Sequence, residues 1–326
     1  NNTLLDGFVL SDGNASAGLG SGGGAVFFQQ PSIGTAAYTN TFRNCTFKNN
    51  MGTSGSAVYA QHQNTNNANS IDFVNCMFSK NTASSKGGAV YVESTSSNAN
   101  QNFTNCVFTQ NTGDIGGAVY ASTSFSKLNL TNCTFTRNKA TTSGGALFNQ
   151  GAATIRNSIF YADSSNNVLN EVTNTGVLNT AFSNIHGSGG SANWNTSFGN
   201  NLGNNIDTNP QFNLINLSLN PSSPCRNRGE KAYNTEPIDI NQGIRVVQDT
   251  IDMGAYECSP LVYVAWDAPN GGNGQSWATA YNSLQDGLDD AFFSSGFLKD
   301  VWVKEGTYYP SRDLNGNSNG RFNTFY

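Results

Sequence analysis

The stretch FTNCVFTQNTGDIGGAVYA (103–121) decides the fold, because both of its halves recur through the first half of the chain. Copies of the first half are FRNCTFKNN (42–50), FVNCMFSKN (73–81), FTNCVFTQN (103–111), LTNCTFTRN (130–138) and an eroded IRNSIFYAD (155–163). Copies of the second half are GGAVFF (23–28), GSAVYA (55–60), GGAVYV (87–92), GGAVYA (116–121) and GGALFN (144–149). A period of roughly 30 residues with both blocks in phase predicts a solenoid.

The chemistry of the blocks favours strands over helices. Each block is short, rich in Phe, Val and Thr, and bounded by Gly, Asn and Ser, which is the composition of strands and turns. Helical repeats of similar period need long amphipathic segments instead. The sequence therefore predicts stacked coils of about 30 residues built from short strands.

The Asn of each FxNCxF block is expected at a corner, because Asn tolerates left-handed backbone angles better than other non-Gly residues. Stacking would then align these side chains so that their amides hydrogen-bond from coil to coil. The column would contain Asn44, Asn75, Asn105, Asn132 and Asn157. The paired glycines of the GGA blocks would form another tight corner.

The six cysteines fall into two groups. Four lie in the repeats and would share one inward stack: Cys45, Cys76, Cys106 and Cys133. Neighbours in such a stack lie about 4.8 Å apart with parallel side chains, which is too far for a disulfide. We expect buried thiols that fill space. Cys225 and Cys258 lie outside the repeats and are a candidate disulfide, which an extracellular setting would permit.

The alternation of FxxN, as in FTQN (108–111), with GGA[IVL] resembles the polymorphic repeat of the chlamydial polymorphic membrane proteins and related bacterial surface proteins. The resemblance covers roughly residues 5–160, and GSAV (55–58) is its one departure. It implies an all-β, right-handed parallel β-helix of the kind used in passenger and adhesin stalks, without a catalytic site. It also implies a secreted protein at the cell surface of a Gram-negative bacterium.

The C-terminal half departs from the repeat. VLNTAFSNI (177–185) predicts one more coil, and the Gly, Ser and Asn-rich stretch 186–210 predicts a long excursion. NPQF (209–212), SPCRNRG (223–229) and IDMGAYE (251–257) resemble the end of the β-helix in proteins that carry a choice-of-anchor Q region. This resemblance implies that residues 209–258 are the last coils of a solenoid spanning 1–258.

Residues 259–326 predict a new unit. YVAWDAPNGGNGQSWATAY (263–281) is followed by NSLQDGLDDAFF (282–293), whose apolar spacing fits a short capping helix, and by VWVKEGTYYP (301–310), which predicts a first strand and a turn. This order looks like the N-terminal capping part of a following β-helix module. We expect the chain to be a segment of a longer tandem-repeat protein, with other modules of that chain as partners.

Composition excludes several classes of protein. Charged residues make up 11% of the chain, against about 25% in ordinary soluble proteins. A net charge of −5 with 16 Lys and Arg argues against nucleic-acid binding. Apolar runs are shorter than the roughly 20 residues of a membrane-spanning helix.

The residues offer little for catalysis. Glycoside hydrolysis needs convergent carboxylates, and Asp72, Glu93 and Asp114 occupy different phases of the repeat. His62 and His186 lie in polar stretches, where we expect surface residues. We therefore predict no catalytic residues, no enzymatic activity and no organic cofactor.

One candidate calcium site lies near the end of the chain. DLNGNSNG (313–320) places oxygen-bearing side chains at alternate positions, which suits Ca²⁺: Asp313, Asn315, Asn317 and Asn319. The Glu expected at the twelfth position is replaced by Thr324.

These observations predict a non-catalytic, extracellular structural or adhesive stalk segment, whose outward polar side chains contact glycans or other cell-surface components. The alternative is a carbohydrate-binding or carbohydrate-active β-helix, similar to polysaccharide lyases and hydrolases. Ice or mineral binding ranks third, because Thr46, Val107 and Thr134 form only part of the outward Thr ladder it needs.

Overall fold

The computed structural model describes residues 2–16, 22–30, 37–62, 69–95, 99–213, 215–247, 249–258, 261–293 and 300–310. Within them, short strands stack into four sheets that run along one axis. Strands of successive coils pair in parallel, Phe73 with Phe103 for example. The prediction of a parallel β-helix is confirmed.

The strands of each sheet come from successive coils. Sheet A contains Thr3–Asp6, Thr39–Arg43, Ser70–Val74, Asn100–Thr104, Lys127–Thr131, Ala152–Arg156, Val177–Ala181 and Asn200–Asn201. Sheet B contains Val9–Ser11, Thr46–Lys48, Met77–Ser79, Val107–Thr109, Thr134–Thr136, Ile159–Tyr161 and Asn184–Ile185. Sheet C contains Asn14–Ala15, Met51–Ser54, Thr82–Lys86, Thr112–Ile115, Lys139–Ser143, Ser164–Ser165 and Val168–Leu169. Sheet D contains Val26–Gln30, Val58–His62, Val90–Ser94, Val119–Ala121, Leu147–Asn149 and Val172–Asn174.

Left-handed residues turn the chain from sheet to sheet. Between sheets A and B the corner is an Asn with φ between 49° and 53°: Asn44, Asn75, Asn105, Asn132 and Asn157. Between sheets C and D it is the first Gly of the GGA block, with φ of 69° at Gly116. Both corners lie where the sequence predicts them.

The core consists of side-chain columns that follow the axis. In sheet B the rings of Phe47, Phe78, Phe108, Phe135 and Phe160 stack nearly parallel, with centroids 4.3–4.7 Å apart. All five side chains are fully buried. Ring stacking of this kind adds to the free energy gained by burying each ring.

The second Gly of the GGA block allows adjacent coils to approach closely. A Cβ on Gly117 would lie 2.0 Å from the carbonyl oxygen of Gly145, and one on Gly88 would lie 1.9 Å from that of Gly117. The second coil has Ser56 at this position, and its hydroxyl donates to the carbonyl of Gly88. Ser56 is thus accommodated where the other copies use Gly.

The stretch 186–210 closes the end of the core. A 3₁₀ turn (Thr196–Phe198) places Phe198 against the last coil, and Trp194 packs beside it with its ring N–H bonded to the carbonyl of Gly199. The strand Val168–Leu169 pairs antiparallel with Ser164–Ser165 and ends sheet C. A region expected to be an excursion therefore forms a cap.

Residues 209–258 do not form the expected last coils, and this expectation is corrected. They form a strap along the outside of sheet B, with a 3₁₀ turn at Lys231–Tyr233 and isolated bridges within the described parts. The physical reason is that sheet B carries outward apolar side chains, Met77, Val107 and Ile159, which need cover. Apolar side chains of the strap supply it: Leu217, Leu219, Met253, Ala255 and Tyr256.

The last described unit starts a separate small sheet. Leu261–Val264 pairs in parallel with Asp300–Val303, a 3₁₀ turn spans Trp277–Thr279, and an α-helix spans Leu284–Phe293. The helix packs on Val262 and Val264. A Cβ on Gly287 would lie 2.3 Å from Val264, so this glycine sets the closeness of the helix. The predicted helix is present, and so is a strand at the start of 301–310; the strand Leu261–Val264 was not predicted.

Candidate functional site

The corner asparagines form a ladder on the outside of the solenoid. Asn105 donates to Asn75 at 3.0 Å, and Asn157 donates to Asn132 at 3.1 Å. Asn105 and Asn132 are instead bridged by Asn234 of the strap, whose amide donates to Oδ1 of each at 2.8 and 3.0 Å. The corner ladder is therefore also the line along which the strap is held.

A second, buried ladder was not predicted. In it the amide of Asn81 donates to Oδ1 of Asn111 at 2.9 Å and to the carbonyl of Phe47 at 3.0 Å. The same Oδ1 accepts the backbone N–H of Asn81. Its members are Asn50, Asn81, Asn111, Asn138 and Asp163, all essentially without solvent exposure. The signal was the last letter of FxxN, which recurs at the coil period.

The buried ladder ends in a pair of carboxyl groups. Asp163 accepts from the amide of Asn138 at 2.8 Å, and its backbone N–H donates to Glu171 at 3.0 Å. Burial raises the pKa of Asp163 to about 7, and burial together with the nearby Asp163 raises that of Glu171. One buried oxygen of each group, Oδ2 of Asp163 and Oε1 of Glu171, has no hydrogen-bond partner among the described residues. His186 lies 3.5 Å from Glu171.

The repeat cysteines occupy one buried column. The thiols of Cys76, Cys106 and Cys133 each lie 3.4 Å from the carbonyl oxygen of a Phe in the preceding coil. Cys45, Cys76, Cys106 and Cys133 are unbridged. Burial raises the pKa of Cys106, which disfavours its thiolate.

The strap has its own buried charged cluster. Arg245 is fully buried, and its guanidinium donates to the carbonyls of Asp252 and Gly254 at 2.9 and 2.8 Å. Its Nε lies 3.9 Å from Glu257. Asp239 accepts the backbone N–H of Glu257 at 2.8 Å, and burial raises its pKa to about 6. These groups hold parts of the strap to each other, and they do not line a cleft.

The two cysteines of the candidate disulfide lie in the same cluster, but they are not bridged. Cys225 and Cys258 belong to one apolar cluster beside Ile159 and Met253. Asn184 donates to the sulfur of Cys225 at 3.2 Å. The structure holds no disulfide between these two described residues, so the bridge stays a prediction.

The carboxylates considered for catalysis lie apart. Asp72 is on the outer face of sheet A and accepts from Asn102 at 2.7 Å; Glu93 is on sheet D; Asp114 is on sheet C and accepts from Thr142 at 2.6 Å. Three different sheets present them, so they do not converge on one groove.

The histidines differ from expectation in one case. His62 is an inward residue of sheet D with no exposed surface, and its Nε2 lies 2.7 Å from the amide nitrogen of Gln101. Burial lowers its pKa to about 4. The expectation of a surface position is wrong, because the alternation of Val58–His62 turns this side chain inward. His186 is partly exposed beside Tyr161.

The predicted calcium residues Asp313, Asn315, Asn317 and Asn319 lie outside the described residues. Within the described part, no group of three or more His, Cys, Asp and Glu side chains is placed to hold a metal ion. The calcium site therefore stays a prediction.

Sheet D carries an outward column of rings, which we call the aromatic column. Its members are Phe27, Tyr59, Tyr91, Tyr120 and Phe148, with successive centroids 4.8–5.5 Å apart. A polar row runs beside it, in which Gln29 donates to Gln61 at 3.0 Å and Gln61 to Glu93 at 3.2 Å. Side chains of one kind thus repeat at the coil spacing along sheet D, and Tyr120 is a buried ring among them.

Stacked coils, corner asparagines and glycine turns define a parallel β-helical repeat protein. Residues 75–93 and 132–150 match the family model for the Chlamydia polymorphic membrane protein repeat. Each match begins at a corner Asn and includes the Cys, the buried-ladder Asn and the GGA turn. This likeness indicates a surface-associated repeat protein.

The other comparisons give no relatives. No curated protein and no solved structure matches the chain. The likeness of residues 209–258 to the choice-of-anchor Q region therefore stays a prediction. None of the described helices combines the length and apolar character required to cross a bilayer.

Proposed function

We propose that this chain is a non-catalytic structural and adhesive stalk segment of a large tandem-repeat protein, secreted to the cell surface of a Gram-negative bacterium. The likeness to a bacterial surface-protein repeat supports the location. The observation that carries the stalk role is the set of continuous columns: four parallel sheets, two Asn ladders and stacked rings. With strands about 4.8 Å apart, seven stacked coils make a rod about 30 Å long.

The aromatic column supports an adhesive role. Phe27 is about half exposed, and Tyr59 and Tyr91 are partly exposed beside the Gln and Glu row. Tyr combines a broad apolar ring with a hydroxyl, which suits contacts with a mixed polar and apolar partner. Repetition at the coil spacing allows many weak contacts to act together. Glycans and other cell-surface components are the partners that this surface fits.

Adhesion is tested with beads that carry the whole chain, incubated with host-type cells and with immobilised glycans. We expect the Tyr59→Ala/Tyr91→Ala variant to lower bead retention several-fold. The Asn102→Ala/Asn129→Ala variant, altered on the outer face of sheet A, serves as the matched control and is expected to keep it. Equal retention by all three proteins would contradict an adhesive role of the aromatic column.

Catalysis is tested separately. The chain is incubated with a panel of neutral and acidic polysaccharides, and released reducing ends and unsaturated uronates are measured. We expect no release above that of heat-denatured protein, since Asp72, Glu93 and Asp114 lie on different sheets. Cleavage of any member of the panel would favour the carbohydrate-active alternative.

A further inference from the structure

A cavity of about 460 Å³ is lined by residues of the last unit alone. Its volume falls in the range of small-molecule sites, about 300–1,000 Å³. The residues that matter for its chemistry are Ala265, Asp267, Ala268, Trp277, Ala278 and Lys304. Three alanines among them leave the space open.

The indole of Trp277 forms one wall of the cavity and is held in place. Tyr263, almost fully buried, meets it edge-on with centroids 5.0 Å apart and ring planes at 69°. Ser276 caps the 3₁₀ turn that carries it, because its hydroxyl accepts the N–H of Thr279. The indole nevertheless remains 47% exposed. It is therefore an ordered aromatic surface that faces solvent across the cavity.

An ion pair supplies the polar part of the lining. Nζ of Lys304 lies 2.6 Å from Oδ2 of Asp267, and each side chain is nearly half exposed. The ammonium lowers the pKa of Asp267, so the carboxylate is charged over the ordinary pH range. The backbone N–H of Lys304 donates to Val264 at 2.8 Å and fixes where this side chain starts. The pair presents a donor and an acceptor side by side with no net charge.

We propose that this cavity binds one ring of a neutral saccharide. The apolar C–H face of the sugar packs against Trp277, and two adjacent hydroxyls bond the ion pair, one accepting from Lys304 and the other donating to Asp267. The site lies outside the coils, so it goes beyond the stalk role and stands independently of it.

The lining argues against other ligands. A wholly apolar ligand would cover the charged pair without replacing its hydrogen bonds to water, which carries a desolvation cost. A uronic or sialic acid would bring a second carboxylate close to that of Asp267, and the two negative charges would repel each other.

The experiment uses the whole 326-residue chain and the methyl glycosides of glucose, galactose, mannose and N-acetylglucosamine, with glucuronic and sialic acids alongside. Binding is measured by calorimetry and by the change in Trp fluorescence. We expect at least one neutral glycoside to bind, Trp277→Ala to weaken binding about tenfold, and Asp267→Asn to weaken it by a similar factor. Trp277→Phe keeps an aromatic wall and should stay within about threefold.

Tyr309→Ala is the matched control, because this aromatic side chain is 83% exposed in the same unit and does not line the cavity. Its affinity should equal that of the unaltered chain. Thermal unfolding shows whether Trp277→Ala folds; if it does not, Trp277→Phe and Asp267→Asn decide. The proposal is overturned if no neutral glycoside binds, if only the acids bind, or if the folded cavity variants bind normally. Such a result would leave the proposed adhesion through the aromatic column unaffected, because that proposal is tested separately with beads.

Discussion

Asparagine serves two different purposes in each coil. Asn105 takes the left-handed conformation at the corner and points its amide to the outside, where the strap meets it. Asn111, six residues later, is fully buried, and its side chain bonds the backbone N–H of Asn81 and the carbonyl of Phe78 in the preceding coil. The first role depends on backbone conformation, and the second on hydrogen bonds that no water replaces.

Replacement of Asn111 by Ala should lower the free energy of unfolding by about 3 kcal/mol, because buried donors and acceptors on both neighbouring rungs lose their partner. The relevant contacts are those to Asn81, Asn138 and the carbonyl of Phe78. Urea unfolding followed by circular dichroism gives the value. The control is Asn102→Ala, which cuts a partly exposed rung and should cost less than about 1 kcal/mol. Equal losses would show that burial of the ladder is unimportant.

The carboxyl pair predicts a pH dependence of stability. The folded protein holds protons on Asp163 and Glu171 above their ordinary pKa of about 4, whereas the unfolded chain releases them there. Stability contributed by this pair is therefore complete below about pH 4 and declines as pH rises through about 7, the folded pKa of Asp163. Asp163→Asn should flatten this decline, since an amide continues the ladder without charge.

The measurement is thermal unfolding between pH 4 and pH 9. Asp163→Asn should match the unaltered chain near pH 4 and exceed it by about 3–4 kcal/mol at pH 8, since a pKa shift of about 3 units is lost over that range. A residual decline will remain, because burial also raises the pKa of Glu171 and of Asp239 and Glu257 in the strap. A variant that declines as steeply as the unaltered chain would rule out the pair as its source.

The state of Cys225 and Cys258 is decided by intact mass after alkylation without reduction. A bridge would leave four alkylated thiols, since Cys45, Cys76, Cys106 and Cys133 are unbridged. Six alkylated thiols would exclude the bridge. Denaturant must be present during alkylation, because most of these thiols are buried.

At the scale of elements, the paired glycines set how closely coils approach. Gly117→Ala should lower the free energy of unfolding by about 3 kcal/mol, because its Cβ would meet the backbone of Gly145. Ser56→Ala, the equivalent position in the GSAV block, loses one hydrogen bond to Gly88 and should cost only about 1 kcal/mol. Chemical denaturation of the two variants compares them directly, and a smaller loss for Gly117→Ala would contradict the close-approach argument.

Strands and corners could be predicted from the sequence because each depends on residues close together in the chain. Period, Phe placement, Asn corners and GGA turns are all local patterns, and the structure has them as expected. To predict the buried Asn ladder, one further inference was needed: that the recurring Asn of FxxN points inward. The inward position of His62 could be predicted by continuing the in-and-out alternation of the GSAVYA block (55–60) for two more residues.

The strap and the cap could not be predicted in the same way. Their positions depend on contacts between residues far apart, such as Asn234 with Asn105 and Asn132. The one available signal was the apolar residue between Cys and Phe in NCMF and NCVF, which points outward from sheet B at Met77 and Val107. An apolar outer face implies a cover, but the pattern does not say which segment provides it.

At the scale of the whole molecule, the strap connects coils that do not touch each other. It pairs Glu236 with Arg43 in the second coil and Glu230 with Asn157 in the sixth. Arg245→Ala should release the strap at a cost of about 3–5 kcal/mol, since buried carboxylates lose their counter-charge and two carbonyls lose a donor.

Hydrogen exchange resolved by segment measures that release. Faster exchange in the described parts of the strap (209–258), with slow exchange retained in the coils, is the expected pattern. Arg43→Ala removes a partly exposed ion pair at the strap's far end and should cost less than about 1 kcal/mol. Uniformly faster exchange over coils and strap together would show that the two do not separate as units.

The strap also bears on how the molecule withstands mechanical force. In a simple solenoid each coil contacts only its neighbours, so tension can peel coils from one end in succession. Here a peeling coil near Asn157 would have to break its contacts with a segment that is also fastened near Arg43. Load is shared laterally across several coils at once. A solenoid held by such a strap is expected to unfold at higher force and in fewer steps than a solenoid without one.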